Sequence, residues 1–336
     1  MDSLVQKHFI NSRSLEYTYY VSPPSNVSVS DPTLVLFHGF PDSAAIWQSM
    51  VPILAAIGMR LLIPDLLGYA GTSKPWDVSF FNSSAMANDI IELLDTENIT
   101  NFISIGHDWG SFMAHRMYLW HPDRVKGLAV GAYNYERVIR TTTDIEAQAD
   151  EFERTLGWPV KHYYKFLASD EAPRLLVSHP ESFLASGYGA NNNMNNTFGR
   201  RNGLHNWLAA DKRTQLQAFA SDPAVLEAAK ADFAIDGFVS PLMWYRSLLE
   251  NVHMEVEQSL PAESDFIRVP FLHMGGIRDP VCPPAVFDNP ELRTFWPDFT
   301  TKTIEDCGHF IPTEKPVEMA NTIIEWLQSK GLAHPR

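Results

Sequence analysis

Short apolar runs alternate with amphipathic segments along most of this chain, and this alternation limits the fold more than any other feature. Runs such as Thr33–Phe37 and Phe102–Ile105 are typical of strands that are buried on both faces. Segments with apolar residues at helical intervals, such as Ser83–Leu94, lie between these runs. The pattern predicts an α/β fold in which helices cover both faces of a mostly parallel sheet.

The alternation stops between about Glu136 and Tyr245, where only helical patterns rich in aromatic residues occur. A polar run at residues 191–196, which contains five asparagines, predicts a loop within this stretch. Strand-like runs return at Phe271–Met274 and Thr301–Ile304. We therefore expect three parts: residues 1–135 as the first part of a core, residues 136–245 as a helical insertion, and residues 246–336 as the second part of the core.

The most specific local motif is Gly106-His107-Asp108-Trp109-Gly110, which follows the strand Phe102–Ile105 and precedes a predicted helix at Phe112–Trp120. Small residues on both sides of a central nucleophile, between a strand and a helix, form the tight turn known as the nucleophile elbow. The central residue here is Asp108, whose carboxylate needs no base to be nucleophilic at neutral pH. An aspartate can also cap a helix, but the flanking glycines favour a nucleophile that attacks a strained or polarised carbon and forms an ester.

An ester on Asp108 must be hydrolysed, and this step requires a base that activates water. His309, one of twelve histidines, lies just after the last predicted strand, where the chain order Asp–Asp–His of this kind of site places the base. Asp279, in the loop after Phe271–Met274, is the acid expected to orient it. Asp279 precedes a proline and could be a turn residue, but its position after a core strand favours the catalytic role.

A further loop, His38-Gly39-Phe40-Pro41, follows the strand Thr33–Phe37. In a fold with a nucleophile elbow, this loop provides one backbone N–H of the oxyanion hole, and the residue after the nucleophile provides another. We therefore predict that the N–H groups of Phe40 and Trp109 form the oxyanion hole and that both side chains face the substrate. We interpret His38 as a structural hydrogen-bonding residue.

These motifs resemble those of the α/β-hydrolase-fold epoxide hydrolases, a branch of the fold in which the nucleophile is an aspartate. The resemblance extends over about residues 9–328 and rests on four segments, His38–Pro41, Asp65–Tyr69, Gly106–Gly110 and Gly308–Phe310. It implies an α/β-hydrolase fold with an eight-stranded, mostly parallel sheet and a helical cap sub-domain over the carboxyl edge of the strands. It also implies hydrolysis of a neutral hydrophobic epoxide to a vicinal diol through an ester on Asp108.

Family epoxide hydrolases carry two cap tyrosines that bind the epoxide oxygen and protonate the alkoxide, which a phenol with a pKa of about 10 can do. Trp244-Tyr245-Arg246 resembles the segment that holds one of them, so the resemblance implies Tyr245 as an acid. It implies Tyr163 as the second acid, with the neighbouring Tyr164 as the alternative. Most tyrosines in such a helical segment pack against apolar neighbours, and packing is therefore the alternative role for these residues. Tyr164 and Trp244 are expected to contact the substrate.

The elbow does not separate epoxide hydrolases from dehalogenases, which use the same Asp–His–Asp set without the tyrosines. Related haloalkane dehalogenases often have asparagine where Phe40 stands, and fluoroacetate dehalogenases have arginines at the positions of Trp109 and Phe112. These residues predict a neutral, apolar substrate, and a haloalkane or haloacid dehalogenase remains the alternative. A non-catalytic ligand receptor would not need a water-activating base, and a serine esterase would not have Asp108.

Composition limits the partners and the location of the protein. The formal net charge of −14 disfavours nucleic acids and anionic lipid surfaces. The two cysteines, Cys282 and Cys307, are too few for a disulfide framework and show no zinc-ligand spacing, so we expect no metal and no organic cofactor. The sequence shows neither a signal-peptide pattern nor an apolar run as long as a membrane span. We expect a cytoplasmic protein that acts on a small molecule, and the sequence leaves a homodimer open.

Overall fold

Eight strands form a single sheet in the computed structural model of the protein, which describes residues 1, 3–23, 32–133, 135–221 and 237–334. The strands are β1 Val5–Ile10, β2 Glu16–Val21, β3 Thr33–Phe37, β4 Leu61–Pro64, β5 Phe102–His107, β6 Val125–Gly131, β7 Phe271–Gly276 and β8 Phe299–Ile304. Every residue of β3, β4, β5 and β7 is buried, as their continuous apolar sequences predict.

The strands lie across the sheet in the order β1-β2-β4-β3-β5-β6-β7-β8. β2 pairs antiparallel with β1 and β4, and all pairings from β4 to β8 are parallel. The predicted eight-stranded, mostly parallel sheet is therefore confirmed. Because parallel strands end at the same edge of a sheet, the loops after β3, β5, β7 and β8 emerge together there. These four loops carry the catalytic and oxyanion-hole residues predicted for the core.

α-Helices make up a large part of the remaining described chain. They are α1 Val51–Ala55, α2 Ser83–Thr96, α3 Trp109–Trp120, α4 Ile145–Leu156, α5 Tyr164–Leu167, α6 Ala172–Ser178, α7 Pro180–Tyr188, α8 Met194–Thr197, α9 Gly203–Ala209, α10 Val239–Leu249, α11 Val252–Glu257, α12 Pro290–Arg293, α13 Ile311–Glu314 and α14 Pro316–Ser329. Within the described ranges, every helix falls short of the length or the hydropathy that a bilayer-spanning segment needs.

The asparagine-rich run differs from its predicted loop in its second half. Asn191 and Asn192 have positive φ angles of 56° and 57°, a conformation that asparagine tolerates better than most residues. The chain then enters α8 at Met194, whose side chain is 7% exposed. Burial of Met194 and of Thr197, whose Oγ1 donates to the carbonyl oxygen of Ser186 at 2.8 Å, stabilises a helical turn inside a run that is otherwise polar.

Contacts divide the chain into two units. The first consists of Met1–Ser73, Ser83–Val138 and Val256–Arg336 and contains the whole sheet. The second consists of Lys74–Asn82 and Ile139–Glu255, and its described regular structure is helical apart from one bridge between Gly189 and Leu216. The main segment of this unit begins three residues later and ends ten residues later than the predicted insertion at residues 136–245. The unit also includes the nine residues Lys74–Asn82, which the sequence pattern predicts as part of the core.

A buried ion pair joins two separate segments of the first unit. Arg116 on α3 and Glu257 at the end of α11 have fully buried side chains, and Nη2 lies 2.9 Å from Oε2. Ser83 Oγ also donates to Glu257, at 2.6 Å, and Arg116 donates to the carbonyl oxygens of Glu136 and Arg137. Removal of one partner from such a pair typically costs about 3–5 kcal/mol. These contacts therefore hold α3, the helix that begins at the elbow, in place.

Candidate active site

The nucleophile elbow has the backbone conformation that its sequence predicts. Asp108 follows β5 directly and has φ 54° and ψ −124°, a strained conformation for a residue with a side chain. A Cβ on Gly110 would lie 2.0 Å from the carbonyl oxygen of Phe37, and a Cβ on Gly106 would lie 2.1 Å from that of Gly110. Only glycine fits at these two positions, so the strand and α3 meet at the sharp turn that presents Asp108.

Two backbone N–H groups bind the carboxylate of Asp108. The N–H of Phe40 donates to Oδ1 at 2.9 Å, and the backbone N–H of Trp109 also donates to this carboxylate. The loop after β3 can approach so closely because Gly39 has no side chain: a Cβ there would lie 2.5 Å from both Cβ and Oδ1 of Asp108. The structure thus brings the two predicted oxyanion-hole residues to the predicted nucleophile.

His309 lies between the two carboxylates that the sequence assigns to it. Its Nδ1 is 2.8 Å from Oδ2 of Asp279, and its Nε2 is 3.5 Å from Oδ2 of Asp108. Asp279 is fixed in turn, because its Oδ1 accepts the backbone N–H groups of Val281 and Cys282 at 2.9 and 3.0 Å. The geometry can orient the imidazole and present Nε2 to a group bound at Asp108.

The electrostatics of the site favour an ion pair between Asp108 and His309. Burial lowers the pKa of His309, but the negative charges of Asp279 and Asp108 outweigh burial and hold that pKa well above its usual range. Burial raises the pKa of Asp108, but the hydrogen bond and positive charge of His309 outweigh it and bring the pKa below its ordinary value. Asp108 is therefore ionised at neutral pH, as its predicted role of nucleophile requires.

The tyrosines predicted as acids lie together within the second unit. Tyr163 precedes α5 and Tyr164 begins it, while Tyr245 lies on α10. The ring of Tyr245 is 6.2 Å from that of Tyr163 and 4.9 Å from that of Tyr164, and all three side chains are at most 9% exposed. Trp244 is fully buried and contacts the ring of Phe81 at 6.3 Å. The choice between Tyr163 and Tyr164 stays a prediction, since both rings contact Tyr245.

One group of side chains in the described part of the chain has donor atoms close enough to hold a metal ion, and it includes two of the predicted catalytic residues. Its members are Asp279, Cys282 and His309, whose donor atoms lie within 4.8 Å of one another. The Nδ1–Oδ2 hydrogen bond already uses the atoms that two of them would offer. The third member, Cys282, is a buried thiol that hydrogen-bonds to the imidazole of His309. This donor set suits a hydrogen-bonded base better than a cation.

Sequence reasoning missed two residues that bind the backbone around His309. The carboxylate of Glu314 accepts the N–H groups of Gly308 and Phe310, and Nε2 of His107 lies 2.8 Å from the carbonyl oxygen of His309. His107 could have been noticed because it lies inside the elbow motif, directly before Asp108. Glu314 carries no comparable signal, since a glutamate at the end of a short helix is most often a solvated surface residue.

The family of the chain follows from its sequence as well as from the geometry above. The sequence profile of the alpha/beta hydrolase fold matches residues 32–316, which is most of the chain. The protein belongs to this family.

Several epoxide hydrolases are similar to the chain in sequence, which confirms the resemblance inferred from the motifs. Bifunctional epoxide hydrolase 2 of Rattus norvegicus is 28% identical over 313 residues, which cover 90% of this chain and 52% of that protein. Epoxide hydrolase srdG of Neurospora crassa is 26% identical over an alignment that covers 97% of this chain and 96% of that protein. The chain spans about half the length of the mammalian relatives it matches.

Solved structures of epoxide hydrolases share the fold. Epoxide Hydrolase A from Mycobacterium thermoresistibile has a TM-score of 0.78 at 22% identity, with 97% of this chain and 98% of that chain covered. Epoxide hydrolase VrEH1 from Vigna radiata has a TM-score of 0.78 at 18% identity, with 98% and 99% covered. At these identities the likeness establishes the α/β-hydrolase fold of this chain.

Proposed function

We propose that the protein is an epoxide hydrolase that converts a neutral, hydrophobic epoxide to a vicinal diol. The observation that carries the proposal is the unequal environment of the two oxygens of Asp108. Oδ1 accepts the N–H of Phe40 at 2.9 Å, and Oδ2 lies 3.5 Å from Nε2 of His309. A carboxylate held in this way can attack carbon with Oδ2 and keep Oδ1 among hydrogen-bond donors. The similarity to epoxide hydrolases of mammals, fungi and mycobacteria supports the same function.

In the first step, Oδ2 of Asp108 attacks one ring carbon of the epoxide and an ester forms. The carbon–oxygen bond of the ring breaks, and its electron pair passes to the ring oxygen. Tyr245 and Tyr163 are proposed to donate hydrogen bonds to this oxygen and to protonate the alkoxide. Tyr164 and Trp244, together with the side chains of Phe40 and Trp109, are proposed to contact the apolar part of the substrate.

In the second step, His309 removes a proton from water, and the resulting hydroxide attacks Cγ of the ester. The negative charge develops on Oδ1, where the N–H groups of Phe40 and Trp109 stabilise it. The Cγ–Oδ2 bond then breaks, and the diol leaves with Oδ2 and a proton from His309. Asp279 keeps the imidazole oriented and stabilises its positive charge. Asp108 is restored with one oxygen from water, and the second proton of that water leaves the carboxyl group and replaces the proton that the tyrosine gave to the alkoxide.

The proposal is tested by turnover of a panel of neutral epoxides, such as styrene oxide, beside haloalkanes and haloacetates. We expect diol formation from epoxides, its loss in Asp108→Asn, and no halide release. Halide release without diol formation would mean that the Asp–His–Asp set serves dehalogenation. Binding of the epoxide without turnover by the unmodified protein would indicate a ligand receptor.

Both cysteines of the chain are buried and free. Free cysteines are expected in a reducing compartment, and we propose a cytoplasmic location on this ground. A small-molecule substrate needs no further macromolecular partner, and association into a homodimer stays a prediction.

A further inference from the structure

The loop that carries His309 is held by side-chain contacts to its backbone. This loop, Cys307–Phe310, links β8 to α13 and has no regular structure. Oε2 of Glu314 accepts the N–H of Gly308 at 2.8 Å, and Oε1 accepts the N–H of Phe310 at 3.1 Å. One carboxylate therefore binds the N–H groups on both sides of His309.

The carbonyl group of His309 is held from the opposite direction by His107. The distance from Nε2 of His107 to this oxygen is 2.8 Å, and because a carbonyl oxygen only accepts, Nε2 carries the proton. Burial, with the positive charge of His309, lowers the pKa of His107 to about 4, so the ring is neutral. Its Nδ1 is buried and has no hydrogen-bond partner within the described residues. An apolar residue would avoid this unpaired nitrogen, so stability alone does not favour a histidine here.

We propose that Glu314 and His107 are positioning residues that fix the backbone of His309 so that its imidazole meets Asp108 and Asp279 together. A catalytic group must be held to within about 0.5 Å of its productive position by the residues around it. Asp279 orients the ring of His309 through Nδ1, but it cannot fix the position of the His309 Cα atom. The three backbone contacts fix the position of this atom.

This inference rests on the proposed function, because it assigns His309 to the hydrolysis of an ester on Asp108. Formation of the ester uses the carboxylate of Asp108 and the tyrosine acids and does not use His309 as a base. Misplacement of His309 should therefore slow hydrolysis and leave ester formation nearly unchanged. A general loss of structure would lower both rates together.

The test measures both steps in the full-length protein with styrene oxide, by rapid quench and intact-protein mass spectrometry. In Glu314→Ala and His107→Leu we expect hydrolysis to slow by about 10²-fold, since a shift of about 1 Å at a catalytic group has an effect of this size. Ester formation should stay within about threefold of the unmodified rate, so that the ester accumulates. Equal slowing of both steps, or no slowing of hydrolysis, would overturn the proposal.

Conservative variants separate positioning from packing. The amide of His107→Gln can still donate to the carbonyl oxygen of His309, so this variant should recover most of the hydrolysis rate that His107→Leu loses. Glu314→Gln keeps one acceptor for the two N–H groups, so its rate should lie between those of the unmodified protein and Glu314→Ala. Should Glu314→Ala not fold, the Gln variant decides by the same split between the two steps. Absence of rescue in His107→Gln would contradict the assigned hydrogen bond.

Matched controls come from residues of the same type that lie outside the loop. Glu318→Ala removes an acid one helical turn further along the chain, and His273→Leu removes a buried histidine whose ring binds Thr301. Neither should trap the ester.

The His309→Gln variant separates this inference from the proposed function: if His309→Gln accumulates ester and Glu314→Ala does not, only the positioning role fails. If His309→Gln forms no ester, the proposed function fails.

Discussion

Nε2 of His309 lies 3.5 Å from Oδ2 of Asp108, while the other oxygen of this carboxylate is bound by the N–H of Phe40. The two oxygens of Asp108, the proposed nucleophile, are therefore not equivalent. Oδ2 is the atom placed to form a bond to carbon, and Oδ1 already occupies the position where negative charge would develop during hydrolysis.

Substitution of Gly39 by alanine should abolish activity. The added Cβ would lie 2.5 Å from Cβ and Oδ1 of Asp108, so either the carboxylate or the loop that carries Phe40 must move. We expect a loss of at least about 10²-fold in turnover, the usual effect of losing one oxyanion-hole donor. Gly157→Ala is the matched control. Its positive φ of 90° makes alanine strained while nothing lies within 4 Å of the new Cβ, so stability should fall and turnover should not.

The tyrosines should affect ester formation rather than ester hydrolysis. Tyr245→Phe and Tyr163→Phe should each slow ring opening by about 10²–10⁴-fold, the range of a general acid, and the double variant should nearly abolish it. Single-turnover rates of alkyl-enzyme formation with styrene oxide measure this. A severe effect of Tyr164→Phe with a mild effect of Tyr163→Phe would assign the second acid to Tyr164. Full activity of all three variants would remove the tyrosines from the mechanism.

Hydrolysis of the ester should require a higher pH in the unmodified protein than in Asp279→Asn. His309 must be neutral to accept a proton from water, and the charges of Asp279 and Asp108 raise its pKa in the free enzyme. Ester formation removes the charge of Asp108 and should lower this pKa, and Asp279→Asn should lower it further. The rate of hydrolysis should rise with pH as His309 loses its proton, and the rise should move to lower pH in Asp279→Asn.

The measurement is the pH dependence of ester decay after a rapid pulse of substrate. The plateau rate of Asp279→Asn should be at least about 10²-fold below that of the unmodified protein, because the imidazole loses its orienting partner. An unchanged midpoint would show that Asp279 does not control the pKa of His309.

Replacement of His309 by glutamine should separate the two steps completely. The two backbone N–H donors to the Asp108 carboxylate remain, so ester formation should continue, whereas no base remains to activate water. Intact-protein mass spectrometry should find one substrate mass added per chain, with no diol beyond the first turnover. Continued diol production near the unmodified rate would exclude His309 as the base.

Much of this architecture could be predicted from sequence because it depends on local pattern. The strands β3, β5 and β7 are continuous apolar runs, and the elbow at Asp108 needs glycines at fixed offsets. Chain order in this fold then indicates His309 and Asp279. Each of these signals lies within a few residues of the feature that it predicts.

The features that sequence could not give depend on contacts between distant segments. Nothing near Glu314 indicates that its carboxylate turns back to the loop of His309, and the ring of His107 meets a carbonyl group 202 positions away. The helix α8 inside the asparagine-rich run could not be predicted from sequence for a related reason, since burial of Met194 depends on the packing of the second unit. Propensity favours a loop there, and tertiary packing overrides it.

The central claim is that water attacks Cγ of Asp108 and not the epoxide, and a single turnover in heavy-oxygen water tests it most directly. With enzyme in excess over styrene oxide, the diol of the first turnover should be unlabelled, because its new oxygen is Oδ2 of Asp108. Proteolysis and mass spectrometry should then find one heavy oxygen in the peptide that contains Asp108. A labelled diol with an unlabelled peptide would mean that water opens the epoxide directly, and the assignment of Asp108 as the nucleophile would be wrong.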